Sequence, residues 1–140
     1  MSAEELKAQI RRLGEVWSTG NVARLDEICT ANVVYHISPF PDMNLEALKQ
    51  FITAFHMAFP DFQLTFDEDI VAGNTTAHRW TCRATYTGQS PLLPVPPTGK
   101  QARVPGCHVA HWLDGKAVEM WPYEGWLGWL QQFGIIPPLE

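Results

Sequence analysis

The stretch "FITAFHMAFPDFQLTFDEDIVAGNTTAHRWTCRATYTG", Phe51 to Gly88, changes its apolar period partway along. With Leu48 just upstream, Phe51, Ile52, Phe55 and Phe59 recur at helical spacing, and Pro60 stops the run. Beyond the proline the period becomes two: Phe62, Leu64 and Phe66 alternate with polar residues. "AGNT" then supplies turn chemistry around Gly73 and Asn74, and "TAHRWTCRATYTG" reads as a long partner strand. A helix delivered into a β-hairpin sets the pattern for the whole chain.

Upstream, Ser2 and Glu5 form a capping box for a first helix whose Leu6, Ile10, Leu13 and Trp17 share one face. Asn21 is placed to cap a short second helix with Leu25, Ile28 and Cys29 turned inward, and "NVVYHI" carries a first strand. After the turn "SPFPDMN", Asn44 caps the helix that contains Phe51. Downstream, the proline-rich "QSPLLPVPPTGK" cannot lie inside a sheet and is a long connection. Strands over about residues 101–113 and 116–123 meet at the tight Asp114-Gly115 turn, and a last helix carries Leu127, Leu130 and Phe133. Helices grouped early and mostly antiparallel strands grouped late predict an α+β domain, one curved sheet packed against three N-terminal-half helices with a short C-terminal helix.

At 140 residues the chain is the size of one domain, residues 1–140, with no repeat or linker. The composition, 46% hydrophobic and 18% charged, is globular, and no apolar run reaches the roughly 18 residues of a membrane span. The acidic "MSAEELKAQ" start is unlike a secretion signal, so a cytoplasmic protein without a membrane partner is expected. A net charge of −5, with no run of basic residues, argues against nucleic acid. Cys29, Cys82 and Cys107 are odd in number and scattered, which suits free thiols.

The Phe51–Gly88 stretch, together with "PPTGK", "HWLDGKAVEMW" and "LGWLQQFG", resembles the SnoaL-like polyketide cyclase family of the nuclear-transport-factor-2-like superfamily. The resemblance covers nearly the whole chain. It implies a cone built from a curved sheet and three helices, an apolar pocket inside it, and a homodimer or higher homo-oligomer. It also implies cofactor-free aldol closure of a polyketide ester, with an aspartate near the end of the last strand as the acid/base. That position reads Pro122 here, and the family's "GTHTG" reads "ATYTG", with Tyr86 in place of its histidine. The family's pocket histidine matches His108.

Strand parity sorts the remaining candidates. Ala102, Val104, Gly106, His108, Ala110 and Trp112 share one face, with Arg103, Cys107 and His111 on the other. His108 therefore points into the cone, either as a satisfied core histidine or as the acid/base. His36, at the end of the first strand, is a general base or substrate anchor at the pocket mouth, or a rim histidine bonded to the turn. His78 shares a face with Trp80, Cys82, Ala84 and Tyr86. Glu119 and Trp121 share one face of the last strand. Glu119 is a usable acid only if it is buried, and Glu124 is the carboxylate available to replace the missing aspartate.

The expected activity is enolisation or aldol-type chemistry on an apolar, polycyclic or polyketide-like carbonyl compound, without a cofactor. His108 is taken as the centre, with His36, Tyr86 or Tyr123 as donors. Trp80, Trp112, Trp121 and Phe55 would line the pocket with them. No metal is expected, because no ligand spacing supports one. The alternatives are a non-catalytic module that binds an apolar small molecule, and an isomerase or epoxide hydrolase that uses Glu119 or Glu124.

Overall fold

The computed structural model describes residues 1–139. Two long α-helices, α1 (Ala3–Thr19) and α2 (Leu45–Ala58), lie on one face of a five-stranded sheet, and a short α3 (Trp126–Gln132) follows its last strand. The strands are β1 (Cys29–Tyr35), β2 (Gln63–Ala72), β3 (Thr75–Thr85), β4 (Gln101–Leu113) and β5 (Lys116–Glu124), in the spatial order β1-β5-β4-β3-β2. Only β1 runs parallel to its neighbour, β5. This is the α+β cone of the nuclear-transport-factor-2-like fold, as expected.

Local chemistry accounts for most of the boundaries. Ser2 and Glu5 close a reciprocal capping box on α1, and Gly20 ends that helix in the left-handed conformation at φ 75°. Asn44 caps α2 by accepting from the Ala47 N–H. The β4–β5 hairpin turns through Asp114 at φ 49° and Gly115 at φ 84°, both in the region that such a turn demands.

Three expectations change. The short second helix is a 3-10 helix, Val22–Glu27, and Asn21 makes no side-chain cap. Cys29 does not belong to it but opens β1, where its backbone pairs with Ala117 of β5. In α3, Trp129 and Phe133 are buried whereas Leu127 is 52% exposed, because this helix packs through its tryptophan side.

The apolar face of α1 and α2 meets the sheet through an aromatic cluster. Trp17 packs edge-on against Phe55 at 5.1 Å, Phe55 against Phe59 at 4.8 Å, and Phe59 stacks on Phe133 at 4.8 Å. Each such pair adds about 0.5–1.5 kcal/mol beyond the area it buries. A bulge in β2 between Phe66 and Glu68 resets the side-chain alternation. Phe66 and Asp69 consequently both face α1, where Arg11 lies 4.2 Å over the Phe66 ring and grips the Asp69 carboxylate with both guanidinium nitrogens. Among the described residues, no helix is long and apolar enough to cross a membrane.

Candidate active site

β3 and β4 pair with His78 directly opposite His108. Both side chains turn to the helix-covered face, each is only 3% exposed, and His78 Nε2 lies 3.0 Å from His108 Nδ1. One hydrogen occupies that contact. Whichever ring owns it, the outer nitrogens, His78 Nδ1 and His108 Nε2, are left as one donor and one acceptor. Neither outer nitrogen has a protein partner, although both are buried. Burial pushes the His78 pKa down to about 4 and holds His108 well below the usual histidine range. The pair is neutral at neutral pH.

The cavity beside this pair is small, about 20 Å³, enough for one water molecule. Trp17, Phe62, Phe66 and Trp80 crowd it, so the roomy apolar pocket expected inside the cone is largely filled by side chains. Trp80 reaches over the β4 backbone at Gly106, its register partner, where an added Cβ would come within 2.6 Å of the indole nitrogen. Tyr35 of β1 also lines the cavity, with its ring edge-on to His108 at 6.2 Å.

Glu124 completes the lining. Met120, Pro122 and Glu124 alternate toward the cone, and Pro122 lies directly opposite His108. The inward position two residues past the proline thus carries the carboxylate. The residue as a whole is partly exposed, but its carboxyl sits deep enough for burial to push its pKa up to about 7. It is the one titratable group of the cavity matched to proton transfer at neutral pH.

Other candidates fall elsewhere. Glu119 and Trp121 point to the opposite face of β5, because alternation cannot bring them inward together with Met120 and Pro122. There Glu119 Oε2 lies 2.7 Å from His36 Nε2, Asp42 Oδ1 lies 2.9 Å from His36 Nδ1, and Trp121 stacks on the His36 ring at 5.3 Å. The hydrogen bond to Glu119 raises the His36 pKa, and the one to Asp42 adds to it. His36 is therefore clamped between two carboxylates outside the cone. Trp121 is not part of the inner wall, and Glu119 is not a buried acid.

Tyr86, Trp112 and Phe55 are core residues that do not line the cavity. The Tyr86 hydroxyl donates to the Val95 carbonyl, the Trp112 indole N–H donates to Thr76 Oγ1 at 2.9 Å, and Phe55 is held between Trp17, Phe59 and Phe62. Tyr123 is 62% exposed and lies on the outer side of β5. Among the described residues, no three His, Cys, Asp or Glu side chains converge to hold a metal ion.

A second, open depression lies across Glu124 from the cavity. This groove, of about 610 Å³, runs between the loop after β1 and the start of α3, past His36, Phe40, Trp121, Tyr123 and Trp126. Sequence reading missed its Phe40 wall, and also Tyr35 in the cavity. Alternation from Val33 would have turned Tyr35 inward, but nothing local placed Phe40 against Trp126.

The curved sheet, the helices on its one face and the buried histidine pair make an α+β domain of the nuclear-transport-factor-2-like fold. Residues 7–133 match the family model described as SnoaL-like polyketide cyclase, and the chain belongs to that family. Among solved structures it is similar to AclR from Streptomyces galilaeus, a candidate hydroxylase, at 22% identity over 99% of this chain and 87% of that one, TM-score 0.85. It is similar to TsrD from Streptomyces laurentii at 19% identity over 97% and 99% of the two chains, TM-score 0.86. IdmH from Streptomyces antibioticus, a candidate polyketide cyclase, is 23% identical over 91% and 97%, TM-score 0.78. Such distant likenesses speak to the fold alone. No curated protein matched the chain.

Proposed function

We propose that the protein is a cyclase-type enzyme that enolises an apolar carbonyl compound, with Glu124 rather than His108 as the group that carries the proton. The observation that supports this most is the position of Glu124: an inward-facing carboxyl beside two buried neutral imidazoles, tuned by burial to about pH 7. The depressed pKa of His108 makes it a poor base, whereas a neutral imidazole remains a good hydrogen-bond donor.

The chemistry follows from these states. Ionised Glu124 takes a proton from a carbon acidified by a neighbouring carbonyl, and the C–H electron pair becomes an enolate. In aldol closure the enolate carbon attacks a second carbonyl carbon and a C–C bond forms. The π pair moves onto oxygen, and the alkoxide takes the proton back from Glu124. Protons balance and nothing is oxidised. In the tautomer with hydrogen on His108 Nε2, the histidine pair presents an uncharged donor on the cavity side of Glu124.

The test is deuterium uptake at the α-carbon of a panel of fused-ring ketones, followed by NMR. Catalysed exchange that falls by about 10²-fold or more in Glu124→Gln is expected. Exchange that is catalysed but unchanged in Glu124→Gln, and lost instead in His108→Gln, overturns the assignment.

A further inference from the structure

Arg83 of β3 and Arg103 of β4 are register partners. Their neighbours Ala84 and Ala102 are buried while both arginines are exposed, so alternation turns the two guanidiniums to the same solvent-facing side of the sheet. The pairing of β5 with β4 stops at Gly106, and at Arg103 a side chain of α3 takes the place of the strand. Gln132 Oε1 accepts from the Arg103 N–H at 2.7 Å, and Gln132 Nε2 donates to the Arg103 carbonyl at 3.1 Å. Both backbone groups of Arg103 therefore point away from β3. Its pairing with Arg83 is of the non-hydrogen-bonded kind, in which facing Cα atoms approach to about 4.5 Å and side chains lie closest.

Like charges directly opposite each other on neighbouring strands repel. Arg11, Arg24 and Arg79 each meet carboxylates, Asp69 for the first, Glu15 and Glu27 for the second, Asp67 and Glu68 for the third. Among the described residues no carboxylate pairs with Arg83 or Arg103. The two line an open depression of about 460 Å³, which shares no lining residue with the cavity of the histidine pair. Gln63, the β2 partner of Arg83, and Gln101 add uncharged amide donors to it. Asp61 is its one carboxylate, and both oxygens are engaged by Thr85: one accepts from the backbone N–H at 2.7 Å, the other from Oγ1 at 2.6 Å. Two positive charges thus face one carboxylate that is already hydrogen-bonded.

We propose that this depression is an anion site that takes a phosphoryl group, free or carried on a small polar molecule, gripped between Arg83 and Arg103. A single guanidinium fork saturates a carboxylate, whereas a phosphoryl dianion has two charges and three terminal oxygens to divide between two forks. The depression has the room of a small-molecule site, and its amide walls suit a hydroxylated carrier better than an apolar one. The site is independent of the chemistry given to Glu124 and stands whether or not that chemistry holds.

The probe is inorganic phosphate, titrated into the full chain against sodium chloride of matched ionic strength, with glycerol phosphate as a second arm. Binding is followed by the arginine side-chain Nε–Hε resonances and by phosphorus NMR line width. Expected are saturable shifts of Arg83 and Arg103 with phosphate and none that saturate with chloride. Arg83→Gln and Arg103→Gln, both at exposed positions, should each weaken binding about tenfold or more. Arg83→Lys keeps the charge but loses the fork, and should weaken it as well. The backbone amide spectrum of each variant checks that it is folded. Tighter binding of glycerol phosphate than of phosphate identifies a carried phosphoryl group, and equal binding identifies free phosphate. Phosphate shifts no larger than those of chloride overturn the site, and so does saturable binding that survives both glutamine variants.

Discussion

His78 and His108 face each other across β3 and β4 with Nε2 and Nδ1 3.0 Å apart, and both are nearly sealed from solvent. Two imidazoles so placed cannot both be charged. Asp69 would favour a charge on His78 and Arg11 oppose it, but burial outweighs both.

The first prediction concerns acid. A histidine whose folded pKa is depressed contributes stability that is present above its unfolded value, near 6.5, and is lost as pH falls toward the folded value, about 4 for His78. Glu124 acts in the opposite direction, but one carboxyl against two histidines leaves the unfolded chain binding more protons between these limits. The melting temperature should fall from pH 6.5 to 4.5, and His78 alone is worth on the order of 3 kcal/mol by pH 4. A flat profile over that window would contradict a neutral, sealed pair.

Glu124 gives a trade-off between stability and activity. Its folded pKa is raised from 4.5 to about 7, so its stabilising contribution is present below pH 4.5 and is lost as pH rises through 7. Glu124→Gln should therefore melt higher than the parent above pH 7, by on the order of 3 kcal/mol, while losing α-deuteration activity. Calorimetry at pH 8 decides it: a destabilised Gln variant means that the carboxylate is well paired after all.

The His36 clamp depends on pH in the same sense as Glu124 and opposite to the buried histidine pair. Its pKa is raised by Glu119 first and Asp42 second, so the clamp's contribution is complete below pH 6.5 and fades as pH rises through the folded value. Glu119→Gln should bring the His36 titration, followed by its ring proton resonances, back toward the ordinary histidine range. A titration unmoved by that change would mean that Asp42 alone holds the ring.

Gly106 tests how tightly the site is packed. A Cβ there would press on the Trp80 indole at 2.6 Å, against a ring that lies 5.7 Å from His108. Gly106→Ala should cost about 1–3 kcal/mol and shift the His108 ring resonances. Unaltered melting and spectra would show that Trp80 has room to move aside.

Much of this was legible in the residues because it depends on local rules. Periods of 3.6 and 2 mark helices and strands, Ser2, Asn44 and Asp114-Gly115 mark ends and turns, and alternation along β4 turns His108 inward. Alternation also placed Glu119 and Trp121 on one face of β5, but not which face. That choice depends on the pairing of β5 with β4, which puts Pro122 opposite His108 and sends Glu119 outward to His36.

What the sequence determined by itself is the α+β order and the inward parity of His108, since each follows from spacing along a single element. Tertiary structure alone decided that the two histidines share a register position, that the β2 bulge turns Asp69 toward Arg11, and that Glu124 stands between a one-water cavity and an open groove. Those relations join residues up to some hundred positions apart. Their separation in space is set by strand register and side-chain volume, which no local pattern records.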